Sequence, residues 1–131
     1  MRFAAFFLFT SIALSACGPQ LSPEQRAQRA ANLAQTEAAL AEAQTVTVNG
    51  KTFRVATVTE RNQALVDLVG DPTPYFAADV EAASRVATGC NGKFDPGVLA
   101  FLGGDMTTVD LGELRTKVSG NFSGWSVRLA C

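Results

Sequence analysis

The pattern of apolar and polar residues predicts a long helix near the start of the chain. Residues 22–44 contain no glycine, have their one proline at Pro23, and are rich in Ala, Gln, Glu and Arg, which favour a helix. Ser22 can cap this helix, Pro23 suits its first position, and the glutamine three residues after Ser22 completes a capping-box pattern. The large aliphatic residues are Leu33 and Leu40. The helix therefore fits two roles, packing on its own domain through alanines or forming a stalk that meets a partner.

Two runs rich in β-branched residues on either side of Asn49 and Gly50 predict a β-hairpin. The runs are residues 45–48 and 51–58, and Asn-Gly between such runs is the strongest short hairpin signal. The apolar run 63–69 comes next, and it fits either a third strand or a short helix.

Two further helices are predicted from their end signals. Thr73 can cap a helix that has Pro74 at its first position, apolar residues at helical spacing follow, and Gly89 is placed to end it. Asp110 has capping-box spacing with the glutamate three residues later, which predicts a short helix over residues 111–118.

The last residues of the chain alternate between apolar and polar, which predicts a half-buried strand over 125–131. The short apolar segment 98–102 fits no single element. Together these elements predict an α+β fold, with a small antiparallel sheet, an N-terminal helix and two or three further helices. The predicted domain extends over residues 45–131.

Composition and charge restrict the classes of function. The chain has 131 residues, of which 47% are apolar and 18% charged, with a formal net charge of -1 and no histidine. The near-neutral charge without a basic stripe argues against nucleic-acid binding. The absence of histidine removes the commonest general base and metal ligand, and with it Ser-His and Cys-His catalysis. We expect no cofactor.

The first residues carry a positive charge at Arg2 and then an apolar run over residues 3–14. The run is too short for a membrane span, which needs about 20 residues, and is typical of the core of a signal peptide. It ends in Leu14, Ser15, Ala16 and Cys17. This sequence resembles the lipobox of bacterial lipoproteins, in which a leucine and two small residues precede the cysteine that is diacylated.

The resemblance implies that residues 1–16 are a signal peptide, that Cys17 carries lipid, and that residues 17–21 are a short tether. Gly18 stands where an aspartate retains lipoproteins in the inner membrane, so the resemblance favours the outer membrane with the domain facing the periplasm. The remaining domain is similar only to small uncharacterised envelope lipoproteins of Gram-negative bacteria. The alternatives are a cleaved signal peptide that leaves Cys17 as a thiol, and a transmembrane helix.

The other two cysteines, Cys90 and Cys131, are expected to form a disulfide, because an export signal implies an oxidising compartment. A closed loop of about 40 residues would contribute roughly 4 kcal/mol in the chain-entropy model. A redox pair or a metal site is the alternative, although Cys-x-x-Cys spacing is missing and a metal needs more ligands.

Several other residue types could carry chemistry, and each also has a structural interpretation. The sequence Gly50, Lys51, Thr52 lacks the earlier glycine and the following helix of a phosphate-binding loop. The serines lack a histidine base for nucleophilic catalysis; they are Ser119, Ser123 and Ser126. The acidic candidates could serve acid–base work or bind a cation, or could be helix caps and solvated turns; they are Asp67, Asp71, Asp105, Asp110 and Glu113.

The aromatic residues near glycines and helix ends could form a ligand platform, or could simply anchor the core; they are Tyr75, Phe76, Phe122 and Trp125.

The sequence favours a non-enzymatic envelope lipoprotein that interacts with another envelope protein or the cell wall. A carrier or sensor of a small apolar ligand is the alternative, with a pocket lined by Phe53, Phe76 and Trp125. A third hypothesis is a hydrolase that uses two carboxylates.

Overall fold

Three α-helices and five strands make up the part of the chain that the computed structural model describes, which is residues 18–102, 104–118 and 120–131. The elements in chain order are α1 (Pro23–Ala41), β1 (Gln44–Val48), β2 (Lys51–Val58), β3 (Gln63–Val69), α2 (Ala77–Thr88), β4 (Asn91–Asp95), α3 (Leu111–Lys117) and β5 (Trp125–Ala130). Short 3-10 helices lie at Thr59–Arg61 and Gly97–Leu102. The predicted signal peptide and Cys17 lie outside the described residues.

The strands form one antiparallel sheet in the order β1-β2-β3-β5-β4, which confirms the predicted α+β fold. The predicted hairpin is present: Asn49 and Gly50 have φ angles of 50° and 74°, and Val48 pairs with Lys51. Positive φ at both turn residues matches the twist of the flanking strands. The ambiguous run after the hairpin is the strand β3.

Helix α1 begins as predicted but ends earlier than the predicted boundary at residue 44. The Ser22 hydroxyl accepts a hydrogen bond from the Gln25 backbone N–H, and the Gln25 side chain accepts one from the Ser22 N–H, so the capping box forms. The helix ends at Ala41 because Gln44 already pairs with Val55 in the sheet.

The predicted start of α2 is wrong. Thr73 and Pro74 lie before the helix, whose N-cap residue is Phe76. The Leu111 N–H donates to the Tyr75 carbonyl oxygen at 2.8 Å, and this contact holds the preceding segment outside the helix. The end is as predicted, since Gly89 has the left-handed conformation, with φ of 74°, that commonly terminates a helix.

Strand β4 has no counterpart among the predicted elements. It is an edge strand of five residues of which only Phe94 is buried, so its sequence carries little apolar periodicity. Gly92 allows α2 to approach it closely, because a Cβ atom there would lie 2.5 Å from the Ser84 Oγ and 2.6 Å from a Val127 methyl carbon. The segment of uncertain type, 98–102, belongs to a 3-10 helix.

The two faces of the sheet carry two separate apolar clusters. The larger one, here called the first cluster, contains buried residues from four strands, from α2 and α3, and from the segment before α2; it includes Phe53, Val66, Tyr75, Val80, Leu111 and Trp125. The smaller one, the second cluster, joins α1 to the opposite face and consists of Ala39, Ala56, Val58 and Leu65 with Leu40 and Ala43 at its margin.

Candidate functional site

The predicted disulfide pair is present in the structure. The Sγ atoms of Cys90 and Cys131 are 1.99 Å apart and the Cα atoms 4.6 Å apart, with a sequence separation of 41 residues. Cys90 follows Gly89 at the end of α2, and Cys131 follows the last residue of β5. The bond therefore fastens the end of α2 to the end of β5, and this position indicates a structural role.

Helix α1 combines the two roles that its sequence allowed. In its second half, Ala39 is buried and the Arg61 guanidinium donates to the Thr36 hydroxyl at 2.7 Å, so this half is attached to the domain. In its first half, every residue up to Ala31 is exposed. The first half thus has no buried side chain.

The aromatic candidates form core rather than an open platform. The Trp125 indole N–H donates to the Tyr75 hydroxyl at 2.7 Å, and Trp125 makes edge contacts with Phe94 and Phe122. Burial raises the pKa of Tyr75, although the bond from Trp125 partly opposes this. Phe76 differs from the others, since 37% of its surface is exposed.

Two of the three residues expected to line an apolar pocket, Phe53 and Trp125, are buried in the first cluster. Phe53 is fully buried, its ring centroid is 5.6 Å from that of Tyr75, and only 4% of Trp125 is exposed. These contacts give no support to the hypothesis of a carrier with a pocket at these residues.

Three of the acidic candidates are engaged by neighbouring groups. The Asp67 carboxylate lies 4.0 Å from the Arg54 guanidinium, and Glu113 pairs with Lys117 at 2.8 Å. One carboxylate oxygen of Asp110 accepts hydrogen bonds from the first turn of α3 and thereby caps that helix, as predicted.

The other two acidic candidates lie in exposed loops. Asp105 accepts hydrogen bonds from the Thr107 hydroxyl and N–H, which lower the pKa of the Asp105 carboxyl. Asp71 lines a shallow depression together with Lys51. These positions give no support to the hypothesis of a two-carboxylate hydrolase.

Asp79 is a buried carboxylate that the sequence did not single out. It is 7% exposed and accepts hydrogen bonds from the Phe76 N–H at 3.0 Å, from Asn49 at 3.1 Å and from Lys51 at 3.5 Å. Burial alone would raise the pKa of Asp79, but the Phe76 and Asn49 hydrogen bonds and the Lys51 charge together lower it. Lys51, considered above for phosphate binding, thus fastens the hairpin to the start of α2.

The serine candidates show no catalytic arrangement in the described part of the chain. Ser126 contacts the Gln63 side chain within the sheet. Ser123 lines a depression between α1 and the loop before β5. Ser119 lies outside the described residues.

A cleft between the end of β3 and α3 brings together residues that the sequence left unconnected. Its volume is about 320 Å³, and its walls combine apolar side chains with two opposite charges. The lining residues are Asp67, Leu68, Gly70, Pro72, Tyr75, Gly112, Arg115 and Thr116. This volume lies at the lower end of the range of roughly 300–1,000 Å³ that is usual for small-molecule sites.

Arg115 is the cation of this cleft, and sequence analysis did not identify it. Its guanidinium carbon lies 4.1 Å from the centroid of the Phe122 ring, a cation–π contact that fixes the side chain. In the described part of the chain no carboxylate lies within 4.0 Å of it. No local signal marks this arginine, because the cleft forms only when β3 and α3 meet.

Within the described ranges, no helix is long and apolar enough to cross a membrane. The same residues include no group of three or more His, Cys, Asp or Glu side chains that could hold a metal ion. The chain matches no protein-family model, no curated protein and no solved structure.

Proposed function

We propose that this chain is an envelope lipoprotein that is anchored by lipid on Cys17, faces the periplasm from the outer membrane, and contacts another envelope protein or the cell wall. The observation that supports this proposal most directly is the exposed first half of α1. A polar helical segment without buried contacts, which begins six residues after a lipobox cysteine, fits the role of a spacer between membrane and domain.

The length of this spacer is suited to that role. The tether over residues 18–21 spans at most about 13 Å when extended, and the nine exposed helical residues add about 13 Å at 1.5 Å per residue. The domain would therefore stand roughly 25 Å from the acyl chains, which clears the headgroup region. A partner could then reach the sheet and its surrounding helices from the periplasm.

The disulfide gives independent support for export. Disulfides persist in oxidising compartments such as the periplasm and are rare where thiols are kept reduced. The Cys90–Cys131 bond joins the end of α2 to the end of β5, so the folded domain would be stabilised by export to such a compartment. Two or three acyl chains, at about 0.8 kcal/mol per buried methylene, would give stable anchoring.

Intact mass spectrometry of the protein purified from membranes tests the anchor. The expected mass is that of residues 17–131 plus acyl chains, and a Cys17→Ala variant should show no added lipid. A mature protein that begins at Cys17 with a free thiol would contradict the proposal.

In vivo crosslinking of a tagged protein tests the interaction and the spacer. Three forms are compared: the wild type, Cys17→Ala, and a deletion of residues 24–30. The deletion removes about two helical turns, so the rest of α1 keeps its orientation on the sheet. We expect one envelope component to be enriched with the wild type and reduced with both variants. Equal enrichment in all three forms would contradict a role for anchoring and spacing.

A further inference from the structure

Strand β3 is an inner strand of the sheet, but its last residues lack a neighbouring strand on one side and form an open edge. Pairing of β3 with β5 stops at Val66 and Trp125, whereas pairing with β2 continues to the last residue of β3, where Thr52 faces Val69. The chain turns away at Gly124, which has φ of 129° and lies so close to β3 that a Cβ atom would be 2.8 Å from the Val66 nitrogen. The last three residues of β3 therefore have no strand on one side.

The ladder register identifies the backbone groups at this edge. The Leu129 N–H donates to the Asn62 carbonyl oxygen, so this pair belongs to the hydrogen-bonded type. In an antiparallel ladder such pairs recur at every second residue, so Val66 also belongs to a hydrogen-bonded pair. Leu68 is the next residue of β3 whose backbone groups point to this side. The N–H and C=O of Leu68 consequently face the open edge and not β2, and no backbone group of a described loop bonds to either of them.

The open edge forms one wall of the cleft described above, since Asp67 and Leu68 both line it. Unpaired strand edges are templates for another strand, because backbone donors and acceptors need partners. Arg115 lines the opposite side of the same cleft. A backbone edge and a cation without a carboxylate partner thus face a common space about 320 Å³ in volume.

We propose that this cleft binds a short extended peptide segment, which adds a strand beside Leu68 and places a carboxylate on Arg115. Main-chain hydrogen bonds to Leu68 would hold the segment, and the ion pair with Arg115 would select an acidic residue. Apolar contact with the Leu68 and Pro72 side chains would supply the rest of the binding surface.

The charges of the cleft favour an acidic segment over a basic one. Asp67 is the carboxylate of the cleft, and Arg54 already lies 4.0 Å from it. Among the described residues no carboxylate lies within 4.0 Å of the Arg115 guanidinium, so Arg115 can pair with a carboxylate without breaking an ion pair. This proposal rests on the proposed function only in that it names the chemistry of the envelope partner.

A pair of peptides that differ in one charge tests the proposal. The full mature chain, labelled with ¹⁵N and held in detergent, is titrated with acetyl-Thr-Val-Glu-Val-Thr-amide and with the same peptide carrying Gln in place of Glu. We expect the Leu68 amide signal to shift and its hydrogen exchange to slow. The Glu peptide should bind roughly tenfold more tightly, as expected for a charge-assisted hydrogen bond.

Variants of the protein locate the effect. Arg115→Gln should remove the preference for the Glu peptide, and Arg115→Lys should keep part of it. Arg85→Gln, at an exposed arginine of α2, should bind both peptides as the wild type does. If Arg115→Gln fails to fold, the difference in affinity of the wild type for the Glu and Gln peptides is sufficient to test the proposal.

Three results would overturn the proposal: an unshifted Leu68 amide at millimolar peptide, equal binding of both peptides, or a Leu68 signal that moves with protein concentration alone. The last would mean that the edge pairs with a second copy of this chain. These outcomes are separate from the test of the anchor. Peptide binding can fail while Cys17 is acylated, and an unacylated Cys17 leaves peptide binding unaffected.

Discussion

The two faces of the sheet are covered to very different extents. On one face, α2 and α3 bury the first cluster, which contains twelve of the described residues, among them Trp125 and Tyr75. On the other face, the second half of α1 contributes Ala39 and covers the three buried sheet residues of the second cluster. The rest of that face is polar, with ion pairs between Arg54 and Asp67 and between Arg128 and Asp95.

This difference indicates that the first cluster stabilises the fold, whereas α1 is attached to the folded domain by few buried contacts. Hydrophobic stabilisation is roughly proportional to the apolar area removed from water, so most of it must come from the first cluster. Helix α1 contributes Ala39 as its one buried residue. A helix attached so lightly can serve as a spacer without determining the fold, and this division is open to measurement.

The largest expected effect comes from the same substitution on the two faces. Leu111→Ala removes a fully buried side chain of the first cluster and should lower the free energy of unfolding by about 4 kcal/mol. Leu65→Ala, in the second cluster, should cost about 2 kcal/mol, because the lightly held α1 can settle into the space. Urea unfolding followed by Trp125 fluorescence measures both.

Phe101→Ala is the control for these two variants. Its side chain is 91% exposed, so the substitution should change the free energy of unfolding by less than about 0.5 kcal/mol. A Leu65 variant that loses as much stability as the Leu111 variant would contradict the division between the two faces.

The next effect comes from the disulfide, which fastens α2 to β5 on the side of the first cluster. Replacing both cysteines, Cys90→Ser with Cys131→Ser, should lower the free energy of unfolding by up to roughly 4 kcal/mol, since the crosslink restricts a loop of 41 residues in the unfolded chain. Unfolding of the wild type in reducing buffer should give a similar value. A loss below about 1 kcal/mol would show that packing alone holds the chain end.

A smaller effect is expected for the buried polar contact within the first cluster. Tyr75→Phe leaves the Trp125 indole N–H without its acceptor and should cost about 2 kcal/mol. The second variant, Trp125→Phe, and the double variant complete a double-mutant cycle. Strict additivity of the two single changes would mean that the hydrogen bond adds nothing to stability.

The sequence predicted those elements whose signals are local. The hairpin at Asn49 and Gly50, the Ser22 cap, the Gly89 end of α2 and the alternation before Cys131 each depend on a few neighbouring residues. The cysteine pair was also predictable, because two cysteines remained once Cys17 was assigned to the lipobox.

The features that were missed depend on contacts between distant residues. Strand β4 pairs with β5, which follows some thirty residues later in the chain, and the start of α2 is displaced because the distant Leu111 binds the Tyr75 carbonyl. The cleft has the same origin, because Arg115 and Leu68 lie on separate elements. Neither periodicity nor a motif could place these residues together.

The smallest effect concerns Asp79, which joins the hairpin to α2 at the edge of the first cluster. The pKa of Asp79 is lowered from 3.8, so its contribution to stability is complete above that value and is lost as the pH falls through the folded-state pKa. Asp79→Asn should therefore cost about 1 kcal/mol at pH 7 and almost nothing in strong acid. Urea unfolding of both forms between neutral and strongly acidic pH measures the difference, and Glu37→Gln, at an exposed position of α1, is the control. A cost for Asp79→Asn that stays constant with pH would mean that the side chain stabilises the hairpin by its shape and neutral hydrogen bonds, and that the carboxylate charge plays no part.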